Sequence, residues 1–430
     1  MKIAFYTLGC KVNTYESESV WELFKEQGYE RVTHKDFADV YVINTCTVTN
    51  SAASKSRKAI RKLIKINPEA VVAVMGCYSQ LSPDDVFLID GVDIIIGTKH
   101  RERLLPLVNK FLNERNKIKD ISDVSRYRVF DEIKVTNFTE NTRAFLKIQD
   151  GCDNFCTYCI IPYARGPVRS RDKDSVLDEA RSLVKNGFHE IVLTGIHTGG
   201  YGQDLDNYSF FDLLNDLKDV KGLKRIRISS IEVNELTNEI IELIASNHIF
   251  AKHLHIPLQS GSDEILRLMK RKYDKAQFLK HIEHIRTLIP EIAITTDIIV
   301  GFPGETEEMF EEMYYFIKKI AFSELHVFPY SKRSGTKAAK MEGHLNGLVK
   351  STRVNKLLEL NNELATAFIE KSKTTDLSVI FEKSDDQYTY GHSDTYIYIK
   401  VNKDVTLHNQ IRNVTIKSVK YKDTLGIVKT

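Results

Sequence analysis

The chain has 430 residues, 42% of them hydrophobic and 28% charged, an ordinary globular balance that excludes a mainly disordered or collagen-like chain. Single cores stop growing at about 250–300 residues, so two or three domains are expected. With 61 Lys+Arg against 58 Asp+Glu, a formal net charge of +3, overall charge implies no polyanion partner, and any nucleic-acid surface must be local.

The chain opens on a strand-like run, Lys2-Ile3-Ala4-Phe5-Tyr6-Thr7-Leu8, without the features of a signal peptide. No apolar run reaches the roughly 18 residues of a membrane span. A cytoplasmic chain is expected, and there six Cys bind metal or react more readily than they form disulfides.

Strand-like runs at 3–8, 40–44, 71–75 and 94–96 alternate with helical patterns at 16–27 and 52–65, which predicts a parallel sheet with helices on its faces. Cys10, Cys46 and Cys77 each follow a strand, in Leu8-Gly9-Cys10, Asn44-Thr45-Cys46 and Met75-Gly76-Cys77. Ligand sites in such sheets form beyond the carboxyl ends of the strands, so three distant thiols can meet at one point. Residues 1–115 make this first domain, and the polar, aperiodic stretch 116–141 reads as a linker.

A second series follows over 142–370. Apolar runs at 144–148, 190–193, 225–228, 253–258, 292–300 and 324–328 are separated by amphipathic stretches such as 172–186 and 274–288. Six strands with helical crossovers predict an α/β domain, a partial (β/α)6 barrel, with a doubly wound sheet as the alternative. A long helical pattern at 347–373 leads to a small all-β module over 371–430, with strands at 377–381, 396–401 and 414–419.

The strongest signal is Cys152-Asp153-Asn154-Phe155-Cys156-Thr157-Tyr158-Cys159, a C-x3-C-x2-C spacing directly after the first strand of the second series. Three thiolates so placed can wrap one corner of a cubic iron–sulfur cluster and leave one iron open. A zinc site would need a fourth ligand, for which His197 stands nearest by position.

The motif, with an aromatic before its last Cys, resembles the radical S-adenosylmethionine enzymes. Gly195-Ile196-His197-Thr198-Gly199-Gly200, Ser229-Ser230-Ile231-Glu232 and Asp297-Ile298-Ile299-Val300-Gly301-Phe302-Pro303-Gly304-Glu305 agree with it. The resemblance implies an open iron that binds S-adenosylmethionine. One-electron reduction then splits that molecule to methionine and a 5′-deoxyadenosyl radical. Tyr158, Gly195, Ser230, Glu232 and Gln259 would line the pocket. The glycine run lacks the Lys-Ser/Thr of a P-loop.

The first triplet, in Thr7-Leu8-Gly9-Cys10-Lys11-Val12-Asn13, Asn44-Thr45-Cys46-Thr47-Val48-Thr49 and Met75-Gly76-Cys77-Tyr78, is similar to the amino-terminal domain of the methylthiotransferases. That implies a second 4Fe-4S cluster on Cys10, Cys46 and Cys77 that delivers sulfur. The tail resembles the TRAM domain, a small RNA-binding barrel: Tyr388, Tyr390, Tyr396 and Tyr398 lie among Lys400 and Lys403, a pattern suited to base stacking and phosphate contact. Alternate tyrosines in a core, with solvated lysines, would give the same pattern. Two departures stand out: Val233 follows Glu232 where the family has proline, and the tail lacks the usual glycine-tyrosine start.

Three branches of that family act on isopentenyl-adenosine in tRNA, on an aspartate of a ribosomal protein, and on threonylcarbamoyl-adenosine in tRNA. The wording around Cys10 and Cys46 is similar to the third. Lys55, Arg57, Lys58, Arg61, Lys62 and Lys65 recur along one predicted helix, and Lys270-Arg271-Lys272 makes a second basic cluster; each phosphate neutralised would release counterions. The implied partners are a tRNA anticodon loop, S-adenosylmethionine, an electron donor and a sulfur source, acting on a monomer. A noncatalytic iron–sulfur RNA-binding or sensing protein is the rival from another class.

Overall fold

A computed structural model describes residues 1–138 and 141–429. The amino-terminal sheet is parallel, with strands β1 (Lys2–Thr7), β2 (Glu30–Val32), β3 (Val40–Thr45), β4 (Val71–Gly76), β5 (Ile94–Ile96) and β6 (Ile118–Asp120) in the order β2-β1-β3-β4-β5-β6. β3 and β4 are buried at every position, which is why they read as unbroken apolar runs. Alternate residues feed cores on opposite faces, Tyr41, Ile43, Val72 and Val74 on one, Val40, Val42, Val71 and Ala73 on the other.

Helix α1 (Lys11–Glu26) starts earlier than its apolar period suggests, because the face it buries is partly polar: Asn13, Glu16, Ser17 and Ser19 are all buried. Helix α2 (Asn50–Ile66) is capped by Thr49, whose hydroxyl accepts from the Ala52 amide at 3.1 Å. β6 lies inside the stretch expected to be a linker. Residues 121–138 of that stretch pack against the domains as a strap: Val124, Phe130, Val135 and Phe138 are buried along it, and Ile133 accepts a hydrogen bond from Tyr15 at 3.0 Å.

The second domain begins with β7 (Ala144–Lys147) and a small antiparallel pair, β8 (Gln149–Asp150) and β9 (Arg169–Ser170). β10 (Glu190–Thr194), β11 (Arg225–Ile228), β12 (His253–His255), β13 (Ala293–Val300) and β14 (Glu324–Pro329) follow. Parallel ladders β7-β10-β11 and β12-β13-β14 are joined by the bridges Ile226–Phe250 and Ser230–His255. Spatial order follows chain order without reversal, which is an open (β/α)6 arc and not a doubly wound sheet. Ile191, Leu193, Ile226, Ile228, Leu254, Ile294 and Leu325 pack outward in the main core. The alternate positions, Glu190, Arg227, His253, His255, Thr295, Asp297 and His326, face the interior of the arc, so its lumen is polar.

Helix Gly347–Lys371 leads to a closed barrel of β15 (Leu377–Ser384), β16 (Tyr388–Ser393), β17 (Tyr398–Asn402), β18 (Ile411–Ser418) and β19 (Thr424–Val428), in the order β15-β16-β17-β19-β18. Its core is Val379, Phe381, Ile399, Val401 and Val414. Among the described residues no helix is long and apolar enough to cross a membrane.

Two buried ion networks join the domains. At the first junction Arg165, fully buried, pairs with Glu16 of α1, donates to Asn13 at 2.9 Å and lies 3.4 Å from Asp150. Lys147 bridges Glu16 and Asp150 at 2.9 and 2.7 Å, and Arg101 reaches Glu16 and Asp131. Burial alone would raise the Glu16 pKa, but Arg101, Arg165 and Lys147 outweigh it and hold the carboxyl down to about 2. At the second junction Glu190 takes Arg227 at 2.8 Å and Arg225 at 2.9 Å. The same guanidinium groups donate to Ser393 O and Ser378 O of the carboxy-terminal barrel. Burial opposes this charge too, yet Arg227, Arg225 and Arg143 hold Glu190 down to about 2.

Breaking a buried pair by removing one partner costs about 3–5 kcal/mol. Arg165→Met should lower stability by that order in denaturant melts, and adding Glu16→Gln should recover part of it, since the two sites are coupled. Glu190 stabilises the fold only while ionised. Its contribution is complete above the ordinary carboxyl range and is lost as pH falls from about 4.5 to about 2. Glu190→Gln should lower the melting temperature at neutral pH and flatten the acid limb of the stability profile; an unchanged limb would contradict this assignment.

Candidate active site

Cys10 caps α1 and follows Gly9, whose φ is +118°. A Cβ there would meet Asn13 Nδ2 at 2.7 Å and the Cys46 Cβ at 3.2 Å, so only glycine lets these loops approach. Asn13 ties them together, donating to Leu8 O at 2.7 Å and Thr45 O at 3.3 Å. Cys77 follows β4, and its sulfur accepts from Arg165 Nε at 3.2 Å. Burial is the main cause that pushes Cys77 up to about 12 and raises Cys46; the neighbouring Cys10 thiol adds to both, and Cys46 adds to Cys77. Cys10 is exposed, Cys46 half-buried and Cys77 buried, so the triplet opens outward on the Cys10 side.

The second triplet lies on the loop after β8. Gly151 sits where a Cβ would lie 1.8 Å from Pro167 O, and Cys152 N donates to Gly166 O at 3.0 Å. Thr157 anchors the middle of the loop to Leu268 O at 2.8 Å. Arg271 pairs with Glu232 and lies 3.5 Å from both Cys156 Sγ and Tyr158 Oη. Burial pushes Cys152 and Cys159 up to about 12.

Thiols held this high are neutral at pH 7 unless metal ions displace their protons. Three thiols on one loop, with no fourth protein ligand beside them among the described residues, suit one corner of an iron–sulfur core that leaves an iron open, where a structural zinc would need a fourth ligand. His197 does not complete a zinc site, since its Nε2 is engaged by Asn154 at 3.2 Å and paired with Glu235. Beside Cys77, Arg101, Lys147, Arg165 and Arg169 face Glu16, Asp131 and Asp150, a buried positive surplus that suits an anionic thiolate cluster.

One cavity lies between the second triplet's loop and the segment just past Cys46. About 240 Å³ in volume, it is lined by Tyr158 and Cys159 of the second loop, Val48 and Thr49 just past Cys46, and Gln259 and Asp297 of the arc. A smaller cavity of about 160 Å³ lies on the other side of the loop against Cys156, Glu232, Glu235 and Arg271. Of the residues expected to line an S-adenosylmethionine pocket, Tyr158 and Gln259 border the first cavity and Glu232 the second. Gly195 and Ser230 border neither: a Cβ on Gly195 would meet Gln149 Oε1 at 2.9 Å, and exposed Ser230 bridges to His255.

Sequence reasoning missed an Asp–His group on the interior wall. His326 Nδ1 and His255 Nε2 lie 3.3 and 3.4 Å from Asp297 Oδ1, and His255 Nδ1 lies 2.9 Å from Thr295 Oγ1. Burial opposes the Asp297 charge, but the two imidazoles hold it well below the usual carboxylate range. The available signal was the polar alternation His253-Leu254-His255 and Thr295-Thr296-Asp297 inside apolar strands. His326 also lines a third cavity, of about 350 Å³, which opens toward His392, Tyr396 and Tyr398 of the carboxy-terminal barrel.

The tyrosines lie outside the barrel core. Tyr390 and Tyr398 stack at 5.6 Å, and Lys400 Nζ sits 4.2 Å from the Tyr388 ring. The ladder continues through His392 and Tyr396 to His253 of the arc, with ring spacings of 4.9 and 4.6 Å. On α2, Lys55, Lys58, Arg61, Lys62 and Lys65 are exposed and have no ion-pair partner among the described residues, while Arg57 donates to Tyr78 Oη at 2.9 Å. The other expected basic surface is not one. Arg271 is turned inward onto Cys156 and Glu232, and Lys272 donates to Asn154 at 2.7 Å.

The family model described as the radical SAM superfamily matches residues 146–317, and one described as the uncharacterized family UPF0004 matches residues 2–97. A Bacillus subtilis threonylcarbamoyladenosine tRNA methylthiotransferase, MtaB, is 50% identical over 92% of this chain and 89% of its own length. A tRNA-2-methylthio-N6-dimethylallyladenosine synthase of Hydrogenobaculum is 34% identical over 100% of this chain and 99% of its own. A radical S-adenosylmethionine methyltransferase from Kitasatospora setae, TsrM, shares the fold with a TM-score of 0.56 and 15% identity, over 76% of this chain and 72% of that one. Motifs, fold and whole-length identity agree that the chain belongs to the radical S-adenosylmethionine tRNA methylthiotransferase family, and within it to the MtaB type.

Proposed function

We propose that the chain transfers a methylthio group to C2 of N6-threonylcarbamoyladenosine next to the anticodon of tRNA. The observation that carries this reading is the cavity between Cys159 of the second triplet and Val48 and Thr49 just past Cys46 of the first, in a chain that also presents an aromatic ladder suited to RNA. The relatives that act on this nucleoside by name match at 50% and 40% identity, and a dimethylallyl relative at 34%.

The enzyme works with S-adenosylmethionine and 4Fe-4S clusters. Cys152, Cys156 and Cys159 would hold the cluster that would supply the electron for cleaving S-adenosylmethionine, and Cys10, Cys46 and Cys77 the one that would supply the sulfur. The protein's own part is positional. Arg271 and Thr157 fix the second loop, so that Tyr158 and Cys159 face the cavity. Gly9 and Asn13 hold the first loops close, so that Val48 and Thr49 face it from the other side. Asp297, fixed by His255 and His326, presents a charged acceptor toward the substrate. Stacking on the tyrosine ladder and phosphate contact along α2 bring an unpaired loop nucleotide to the opening. This reading expects a cytoplasmic monomer supplied with a reductant and a sulfur source.

The decisive assay offers reconstituted protein three substrates: tRNA bearing threonylcarbamoyl-adenosine, tRNA bearing isopentenyl-adenosine, and the ribosomal protein. Methylthiolation of the first is expected by nucleoside mass spectrometry; modification of either other substrate alone would overturn the assignment. The two triplets should separate. Reconstituted protein should hold about eight irons per chain. Cys152→Ala, Cys156→Ala and Cys159→Ala combined should remove about half of them and all 5′-deoxyadenosine formation. Cys10→Ala, Cys46→Ala or Cys77→Ala should still form 5′-deoxyadenosine yet make no methylthio product, and a variant that makes it would refute the role of the first triplet.

A further inference from the structure

Three acidic groups in the arc and on the barrel side are paired. Glu190 is taken by Arg225 and Arg227, with Arg143 at 4.0 Å. Glu382 is taken by Arg143 at 3.0 Å and His392 at 2.8 Å. Asp297 holds His255 and His326. Lys11 is left over. It is half-buried beside Cys10 at the start of α1, and its ammonium has no hydrogen-bond or ion-pair partner among the described residues. It stands near enough to Arg143, Arg227, His253 and His326 to repel each of them, and the groups that attract it, Glu190 and the Cys10 thiol, make no hydrogen bond or ion pair with it.

A partly desolvated ammonium among other cations is unfavourable unless an anion completes the group. The adenine ring is neutral and cannot do so. A threonylcarbamoyl substituent carries a carboxylate on a short, hydroxylated arm, whereas an isopentenyl substituent carries neither group. Lys11 sits one residue from the exposed Cys10 thiol, on the side assigned to sulfur delivery.

We propose that Lys11 binds the carboxylate of the threonylcarbamoyl group and so reads the negative charge that a neutral alkyl substituent lacks. The assignment rests on the substrate reading above. The polar arc supplies the surroundings such an arm needs, with Thr295, His326 and Asp297 within the same interior.

The test compares two anticodon stem-loops on the full-length reconstituted enzyme, one bearing N6-threonylcarbamoyladenosine and one its threonine methyl ester. Wild type should prefer the acid by about 10- to 100-fold in kcat/KM, the ordinary worth of a hydrogen bond to a charged group. In Lys11→Gln that preference should fall to within about threefold, whatever happens to the absolute rates. Iron content is measured on the same preparations. Where the variant turns over neither RNA, the same ratio is read from their dissociation constants. An acid preference that persists unchanged in Lys11→Gln would overturn the proposal alone, and Lys11 would then serve the adjoining thiolate site. A wild type that modifies only isopentenyl RNA would overturn the substrate reading and this proposal with it.

Discussion

Arg165 is the point on which the rest of the structure depends. Its guanidinium belongs to the second domain, yet its partners Glu16, Asn13 and Cys77 belong to the first. A buried charge must keep its counter-ions, because the cost of leaving it unpaired exceeds what neighbouring packing can offset. The pairing therefore fixes one domain against the other. It also sets the depth of the first thiol triplet relative to the loop that carries the second.

That constraint explains why the chamber lies where it does. The first triplet sits at the carboxyl ends of β1, β3 and β4, and the second on the loop after β8, so two strand-end sites are turned toward each other. Val48 and Thr49 reach the cavity from one side and Cys159 from the other. The second ion network, around Glu190, does the corresponding work at the amino end of the arc, where Arg225 and Arg227 tie the small barrel down. The tyrosine ladder is thereby aligned with the lumen, and ring contacts run from Tyr390 to His253, stacked except at the tilted step between Tyr398 and His392.

The polar lumen carries the chemistry of selection. A barrel packed with aliphatic side chains would exclude a nucleoside that bears an amino-acid arm. Here alternate strand positions offer His, Asp, Thr and Arg, and nearly all of these are mutually satisfied. An interior of that kind holds its shape before substrate arrives, so a single unsatisfied cation can discriminate. The proposed role of Lys11 follows from its lack of an ion-pair partner beside acids that are already taken by Arg and His.

Most of this architecture was legible in the sequence. The strands of both series, the separation into three units and the six thiols follow from apolar periodicity and from C-x3-C-x2-C spacing, which are local patterns. Other features were not. α1 begins at Lys11 although no apolar period marks its first turns, and β16 and β6 lack the aliphatic runs that announce a strand. Lys270-Arg271-Lys272 reads as a basic surface, yet Arg271 is drawn inward by Glu232. Sequence alone determined which residues carry the chemistry, because ligand type and spacing are properties of the chain. Only the tertiary structure decided which of them share a chamber and which charges are left unpaired. Those are sums over partners far apart in sequence, and no local pattern contains them.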